Sequence, residues 1–432
     1  MEKKITSFAL LVIATCHHGY SQEWSFDDCL DYAREHNISL RQSALNEQTS
    51  QYSLEESKAE WQPSLDFSTT HSVTNTPWSE GRNTAYNSNY GLSAGWTVWN
   101  GGKRENNIKR AKIQTSIDAL STLDRFRNIE TELLSAYINV LYNKESIAIY
   151  EEAVKLSEAQ AERARQLMEA GRMSRVDYAQ LQSQYEQDRY NLVNARGTYD
   201  SRRMELKRLL ELGIDSDITL KDVEWTADEV LAQLPPIEQS YAMALANDAQ
   251  LQSAELQKQM ADVDLAIAKS GHYPTVSLNA GVSTGYFSDG PGFGSQMKQA
   301  FNENVGLSLS IPILDKKKTK TATAKANIQR INAELDEQSR RNDIAQNVES
   351  WYIDLQASQA RYVAGTEKVV SASLSNDLVN EQFNLGLVNT VELMTAHNNL
   401  LEARHSLLQA KYMAMLGHKM IEYYRTTNIT MP

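Results

Sequence analysis

The sequence predicts a mainly α-helical chain of two structural repeats, each with long coiled-coil helices and one β-hairpin suited to a transmembrane β-barrel. Three observations lead to this fold class. Motifs of the first half recur about 215 residues later, two spans of about 65 residues lack proline, and four short segments alternate apolar with polar residues. An internal repeat of this length constrains the assignment of every other element.

The repeat predicts the domain organisation. Gly171 recurs as Gly386, and the prolines that separate a helix from a strand, Pro63 and Pro274, recur at a slightly smaller offset. Each copy has a helical segment, a hairpin, a very long helix ending at the shared glycine, and a helix that returns. The predicted parts are a signal peptide (1–21), repeat one (22–212), a mixed connector (213–235), repeat two (236–424) and a C-terminal tail (425–432).

The amino terminus predicts export. Two lysines precede the apolar run Ile5–Thr15, which is about half of the roughly 20 residues that a membrane-spanning helix needs. Cleavage after Ser21 would remove the signal. Cys16 is an alternative lipidation site, although the preceding threonine is larger than lipoprotein signals normally carry. If Cys16 is removed, Cys29 has no partner for an intrachain disulfide.

Composition excludes several classes of protein. The 432 residues carry a net charge of -12, which argues against a nucleic-acid partner. The mean hydropathy of -0.51 argues against a helical membrane protein. No phosphate-binding loop, nucleophile elbow or metal cluster stands out, so we expect neither an enzyme nor a cofactor. His397 and His405 share a predicted helix without an evident third ligand, and we interpret them as packing or surface residues.

Four segments of about ten residues have the alternation of half-apolar strands. In the fourth, Val305, Leu307 and Leu309 alternate with glycine and serine, as expected for a strand with one face to lipid and one to a lumen. For any single segment, a soluble sheet packed on helices remains the alternative. The predicted strands are Ser64–Val73, Tyr90–Trp99, Thr275–Tyr286 and Val305–Ile313, with polar tips at 75–89 and 287–302.

Four strands leave two open edges, which are costly in lipid because nothing there satisfies the backbone groups. Other subunits must therefore close the sheet. Two subunits would give eight strands and three would give twelve, and the residues alone do not decide the number.

The proline-free spans Arg104–Met168 and Thr319–Phe383 have apolar residues at intervals of three and four. At 1.5 Å per residue each is a rod of about 100 Å, too long for a compact domain. Such rods must pack against neighbours of similar length. A shorter helix is expected before each hairpin, over Ser25–Lys58 and Pro236–Lys269.

Several short motifs occur in duplicate and in the same order in the two copies. They are the helix-to-strand junctions Trp61-Gln62-Pro63 and Tyr273-Pro274, the strand-to-helix junctions Asn100-Gly101-Gly102-Lys103 and Ile311-Pro312-Ile313, and the helical turns Ala170-Gly171-Arg172 and Leu385-Gly386-Leu387. Together they resemble the TolC-type outer-membrane efflux family over about Glu23–Tyr424. The resemblance implies a homotrimer with a shared twelve-stranded barrel and an α-helical periplasmic tunnel, in the outer-membrane lipid of a Gram-negative bacterium. It also implies docking to a periplasmic adaptor protein and coupling to an inner-membrane pump, as the passive duct of an efflux or secretion system.

The resemblance also assigns roles to the tips of the two long helical hairpins, at Gly171 and Gly386. The family's tips carry an apolar-Gly-apolar motif at which the adaptor docks. Leu385-Gly386-Leu387 fits this motif, whereas Ala170-Gly171-Arg172 departs from it by placing arginine third. A tight turn between antiparallel helices favours glycine by itself, and this structural role is sufficient to explain both glycines.

Acidic residues beyond the second tip ring the closed entrance in this family. Glu392 occupies that region, and Asp177 is its counterpart in the first copy. Thr395 stands where the family has a further acidic residue, which implies a weaker ring. The alternative for Glu392 is a solvated acid favoured by the helix dipole.

Two further interpretations stay open. Lys316, Lys317, Lys318 and Lys320, with the Lys103-Arg104 pair of the first copy, lie where strands meet long helices. They are either anionic-lipid contacts or solvated helix starts. For the whole chain, the alternative function is an exported coiled-coil protein for structure or adhesion without a channel. That alternative explains the long helices but not the paired hairpins.

Overall fold

The structure, a computed structural model, describes residues 23–78, 84–288, 290 and 292–431. The expected signal peptide and Cys16 lie outside the described residues. About 70% of the described residues are helical. None of the helices within the described ranges is both long and apolar enough to cross a membrane.

Apart from β1 (Glu23–Trp24) and α8 (Phe293–Gln299), the elements of the first half recur in kind and order in the second half, on either side of a short connector. The first half contains β1 (Glu23–Trp24), α1 (Phe26–His36), α2 (Ile38–Ala59), β2 (Ser64–Asn75), β3 (Thr84–Trp99), α3 (Lys103–Glu169) and α4 (Arg175–Leu209). The connector contains β4 (Thr219–Leu220) and α5 (Ala227–Val230). The second half contains α6 (Ile237–Asn247), α7 (Ala249–Ser270), β5 (Thr275–Phe287), α8 (Phe293–Gln299), β6 (Asn302–Ser310), α9 (Lys318–Asn384) and α10 (Thr390–Thr426).

The helix expected before each hairpin is in fact two helices. Asn37 interrupts the first, and its side-chain oxygen accepts hydrogen bonds from the backbone N–H groups of Ser39 (3.0 Å) and Leu40 (3.2 Å). Asp248 interrupts the second and accepts from the Leu251 N–H at 2.7 Å. Short polar side chains compete in this way with the helical hydrogen bonds, so each caps one helix end and starts the next helix.

The hairpins also differ from their expected bounds. β3 begins at Thr84 instead of Tyr90, so the first tip is shorter than predicted. β6 ends at Ser310 and not at Ile313, because its partner β5 begins at Thr275, opposite Ser310, and Pro312 has no N–H to donate. The loop between β5 and β6 contains the helix α8, which the sequence does not predict.

The four long strands form one antiparallel sheet in the order β2-β3-β5-β6. Leu65, Ala94, Ala280 and Val305 lie opposite one another in a single row across it. Because opposed residues share a face, this row and every second row on either side of it make one face mainly apolar. Glu303, opposite Val282, also lies on this face. The rows between them are polar, for example Asp66, Ser93, Gly281 and Asn304.

The apolar face of the sheet is solvent-exposed at its edges. Phe67 on β2 is 69% exposed and Leu307 on β6 is 72% exposed. In the described part of the chain β2 and β6 each pair on one side only. The sheet therefore has two open edges and an uncovered apolar face.

The helices form the rest of the molecule. α3 packs antiparallel along α4, and α9 along α10. The largest buried cluster surrounds Tyr137, whose hydroxyl donates to the Lys221 carbonyl at 3.2 Å beside the parallel β1–β4 pair. The predicted C-terminal tail joins this core: Ile429 is buried, and its N–H donates to the Glu130 carboxylate at 3.2 Å.

Candidate functional site at the helical tips

The two tips are tight turns built around glycine. Gly171 joins α3 to α4 with a φ of 70°, and Gly386 joins α9 to α10 with a φ of 75°. The next residue closes the turn in each case: the Arg172 N–H donates to the Leu167 carbonyl at 2.8 Å, and the Leu387 N–H donates to the Gln382 carbonyl at 2.9 Å. These are Schellman-type helix ends. A Cβ on either glycine would meet nothing within 4 Å, so the backbone conformation, and not space, requires glycine.

The apices of the two tips differ in chemistry. Leu385 is 75% exposed and Leu387 is 71% exposed, so the second tip presents two apolar side chains to solvent. In the first tip the equivalent positions, Ala170 and Arg172, are also exposed but offer a methyl group and a guanidinium. The apolar pair is confined to the second tip.

The helix that follows each tip begins with a reciprocal cap. Ser174 accepts a hydrogen bond from the Asp177 N–H at 3.1 Å, and its hydroxyl donates to the Asp177 carboxylate at 2.7 Å. Asn389 accepts from the Glu392 N–H at 3.0 Å and donates to the Glu392 carboxylate at 2.9 Å. Asp177 and Glu392 therefore occupy equivalent positions at the positive end of a helix. Glu392 lies in the first turn of α10 with its side chain exposed, as a solvated acid favoured by the helix dipole would.

One buried hydroxyl links the two tips. The Thr390 hydroxyl lies 2.7 Å from Oε1 of Gln180 and 3.1 Å from Oδ1 of Asp177, and Thr390 is only 3% exposed. A hydroxyl has one proton to donate, so the two acceptors share it. The apolar layer next to this link consists of Ala164, Leu181, Phe383 and Leu393.

Of the three expected aperture residues, only Asp177 takes part in this link. Glu392 and Thr395 are both exposed on α10. The Thr395 hydroxyl donates to the Val391 carbonyl of its own helix at 2.7 Å. The sequence does not single out Thr390 or Gln180, because a threonine at the start of a helix and a glutamine inside one are both ordinary.

A second polar contact joins α4 to α10 further along the helices. His397 Nε2 lies 2.9 Å from the Asp188 carboxylate, with both side chains at most 3% exposed. Gln184 donates to the same carboxylate at 3.0 Å. The ring of His405 instead packs against the ring of Tyr150 at a tilt of 42°, with the ring centroids 4.4 Å apart, and burial lowers the pKa of His405. Both histidines are packing residues.

This arrangement of long helical hairpins above an amphipathic four-stranded sheet defines a class of outer-membrane duct subunits. The sequence profile of the family described as Outer membrane efflux protein matches residues 29–211 and 240–415. The chain belongs to this family.

Individual relatives agree. Outer membrane efflux protein BepC of Brucella suis is 22% identical over 380 residues, covering 88% of this chain and 76% of BepC. Outer membrane protein TolC of Escherichia coli is 25% identical over 286 residues, covering 64% of this chain and 57% of TolC. The crystal structure of CusC superposes with a TM-score of 0.80 at 16% identity, covering 92% of this chain and 91% of CusC.

These findings confirm the predicted family resemblance, the channel-subunit function and the location in the Gram-negative outer membrane. The relatives are channel proteins and not enzymes.

Proposed function

We propose that three copies of this chain form a passive exit duct, with a shared twelve-stranded barrel in the outer membrane and an α-helical tunnel in the periplasm. The observation that carries the proposal is the sheet: one exposed apolar face, one polar face and two open edges. The same elements in a soluble protein would expose a large apolar surface to water.

A lipid environment accounts for both faces of the sheet. Apolar side chains of the edge strands, such as Phe67 and Leu307, would contact acyl chains, while the serine, asparagine and glycine rows would line a wet lumen. In lipid the open edges must pair, because unsatisfied backbone groups cost several kcal/mol each. Eight strands from two copies would close around their own side chains, whereas twelve strands from three copies leave a lumen. The family resemblance supports three.

The helices supply the tunnel wall. α3 and α9 each contain 67 residues, which gives a length of about 100 Å. Both begin at the end of the sheet where β3 and β6 finish. A helix starting there leads away from the bilayer and places the glycine tips far into the periplasm.

At the far end, the exposed pair Leu385 and Leu387 is the proposed docking point for an apolar hairpin of a periplasmic adaptor, itself joined to an inner-membrane pump. The first tip, with Ala170, Gly171 and Arg172, would offer a guanidinium instead. Replacing Leu385 and Leu387 with aspartate should abolish tip cross-linking to the adaptor, whereas Arg172→Ala should alter adaptor preference. Equal cross-linking of the Leu385→Asp/Leu387→Asp protein would exclude this docking point.

We assign the closed entrance to the start of α10. Three exposed Glu392 carboxylates, one from each subunit, would converge and attract cations. Asp177 contributes through its bond to Thr390, which holds the two tips of a subunit together, and Thr395 adds no charge.

Fractionation separates this proposal from an exported coiled-coil protein. We expect the protein to require detergent for extraction from outer membranes, to run as a heat-sensitive oligomer, and to form conducting channels in planar bilayers. Release from the periplasm as a soluble, detergent-independent rod would refute the duct.

A further inference from the structure

The two junctions between a strand and a long helix have the same backbone but different residues. Before α3, Gly101 and Gly102 have φ values of 70° and 79°. Before α9, Lys316 and Lys317 have φ values of 54° and 67°. The left-handed region suits glycine and strains a residue with a side chain. Two consecutive lysines at the second junction are therefore not explained by local folding.

Electrostatics within the chain also disfavours these lysines. Lys316 and Lys317 are followed by Lys318 and Lys320, so four positive charges cluster at the positive end of the α9 dipole. The first turn of α9 has no acidic residue, whereas that of α3 contains a glutamate. These four lysines form no ion pair with any described residue. Their nearest acidic neighbour in sequence, Asp315, accepts a hydrogen bond from the Thr319 N–H at 2.7 Å.

The first junction lacks a comparable free charge cluster. Arg104 is 2% exposed, stacks 3.5 Å over the Trp61 ring, and donates to the Thr97 carbonyl at 2.6 Å. Its guanidinium thus fastens the end of β3 to α3 inside the protein. Only one basic residue of the first junction, Lys103, is therefore exposed, whereas all four lysines of the second junction are exposed.

The second junction lies at the end of the sheet where both long helices begin, and this end has the residue types of a membrane surface. At the helix end of the sheet, Trp61, Trp99 and Tyr273 are each about half exposed. Such aromatic residues favour the boundary between acyl chains and headgroups. The segment between β6 and the lysines is apolar, with Ile313 95% exposed and Leu314 89% exposed. Apolar residues followed at once by lysines place the charges just outside the hydrocarbon.

We propose that the segment from Ile311 to Lys320 binds anionic phospholipid headgroups of the periplasmic leaflet. Ile313 and Leu314 contact the acyl chains, and the four ammonium groups contact lipid phosphates. The lipid charge offsets the strain, the unfavourable dipole and the mutual repulsion of the lysines. This site rests on the proposed barrel, since the barrel fixes the depth of the junction in the bilayer.

The preference for an anionic lipid is directly measurable. The full-length oligomer is reconstituted into phosphatidylcholine bilayers, and electron spin resonance compares the immobilised fractions of spin-labelled phosphatidylglycerol and spin-labelled phosphatidylcholine. The wild-type protein should prefer phosphatidylglycerol, and added salt should reduce the preference. Each lysine near an anionic surface strengthens association about fivefold, so Lys316→Gly/Lys317→Gly should lower the preference at least fivefold.

Glycine relieves the backbone strain, so a loss in this variant cannot be attributed to poor folding. Lys316→Gln/Lys317→Gln, which keeps the strain and removes the charge, should lose the same preference. Lys155→Gln/Lys368→Gln removes two exposed lysines from the tip-side halves of the long helices, far from the sheet, and should behave as wild type. Two results would overturn the lipid site. One is a preference for phosphatidylglycerol in both junction variants equal to that of the wild type. The other is no preference in the wild type, as expected if a neighbouring subunit covers the segment. In either case intact channel conductance would show that the duct itself stands, whereas failure to insert would count against the duct.

Discussion

Substituting valine for Thr390 isolates the link between the two tips. Valine keeps the shape of the buried side chain and removes only the hydroxyl that Asp177 and Gln180 share at 3.1 and 2.7 Å. The Asp177 carboxylate keeps the hydrogen bond from Ser174 at 2.7 Å, so the variant does not leave an unpaired charge. The perturbation is confined to one contact in each subunit.

The size of the effect follows from the type of bond. A buried hydrogen bond shared between a charged and a neutral acceptor contributes about 1.5 kcal/mol. If the three proposed subunits open together, the loss is about 4–5 kcal/mol per duct. Since 1.4 kcal/mol is a factor of ten, the ratio of open to closed channels should rise roughly a thousandfold.

Single-channel recording in planar bilayers measures this ratio. The matched control is Thr395→Val, because the Thr395 hydroxyl bonds only to its own helix and its loss should leave the open fraction unchanged. A Thr390→Val channel that opens no more often than wild type, with a normal heat-sensitive oligomer, would refute the role of this contact in holding the tips closed.

Three further predictions concern the entrance, the second tip and a buried carboxyl group. Glu392→Ala should raise single-channel conductance or weaken block by polyvalent cations, and unchanged reconstituted channels would remove Glu392 from the entrance. In thermal unfolding, Gly386→Ala should destabilise the second helical hairpin by about 1–2 kcal/mol, because alanine is strained at a φ of 75°. The control is Gly197→Ala, inside α4 with no close neighbour, which should stabilise the protein by up to about 1 kcal/mol. Burial raises the pKa of Glu130 above its ordinary value of 4.5, so its charged form is disfavoured in the folded state and stability should fall as the pH rises through the raised pKa. Glu130→Gln should remove that loss, and a melting temperature with the same pH dependence as wild type would contradict the assignment.

The sequence predicts those features that depend on local chemistry. The proline-free spans predict α3 and α9 nearly to the residue, because helix periodicity and the absence of breakers act along the chain. The glycine of each tip is predictable for the same reason. The breaks at Asn37 and Asp248 escape notice, since one side chain bonding to nearby backbone decides them.

Contacts between residues that are far apart in the sequence cannot be predicted from such local patterns. Thr390 and Asp177 are 213 positions apart, and His397 and Asp188 are 209 positions apart. Each pair meets only because two hairpins of the same length lie side by side. Likewise, the pairing of β3 with β5 joins the two halves in one sheet, which the alternation of either strand does not indicate. The strained conformation of Lys316 and Lys317 also becomes visible only in the structure.

The central claim, a sheet closed by three subunits, is tested most directly at its open edges. A photo-activated cross-linking amino acid at Ser308 on β6 lies on the polar face, within reach of β2 of a neighbouring subunit in a closed barrel. Illumination of intact outer membranes should give covalent dimers and trimers and nothing larger. Only monomers, or a ladder continuing beyond three, would contradict the closed trimeric barrel.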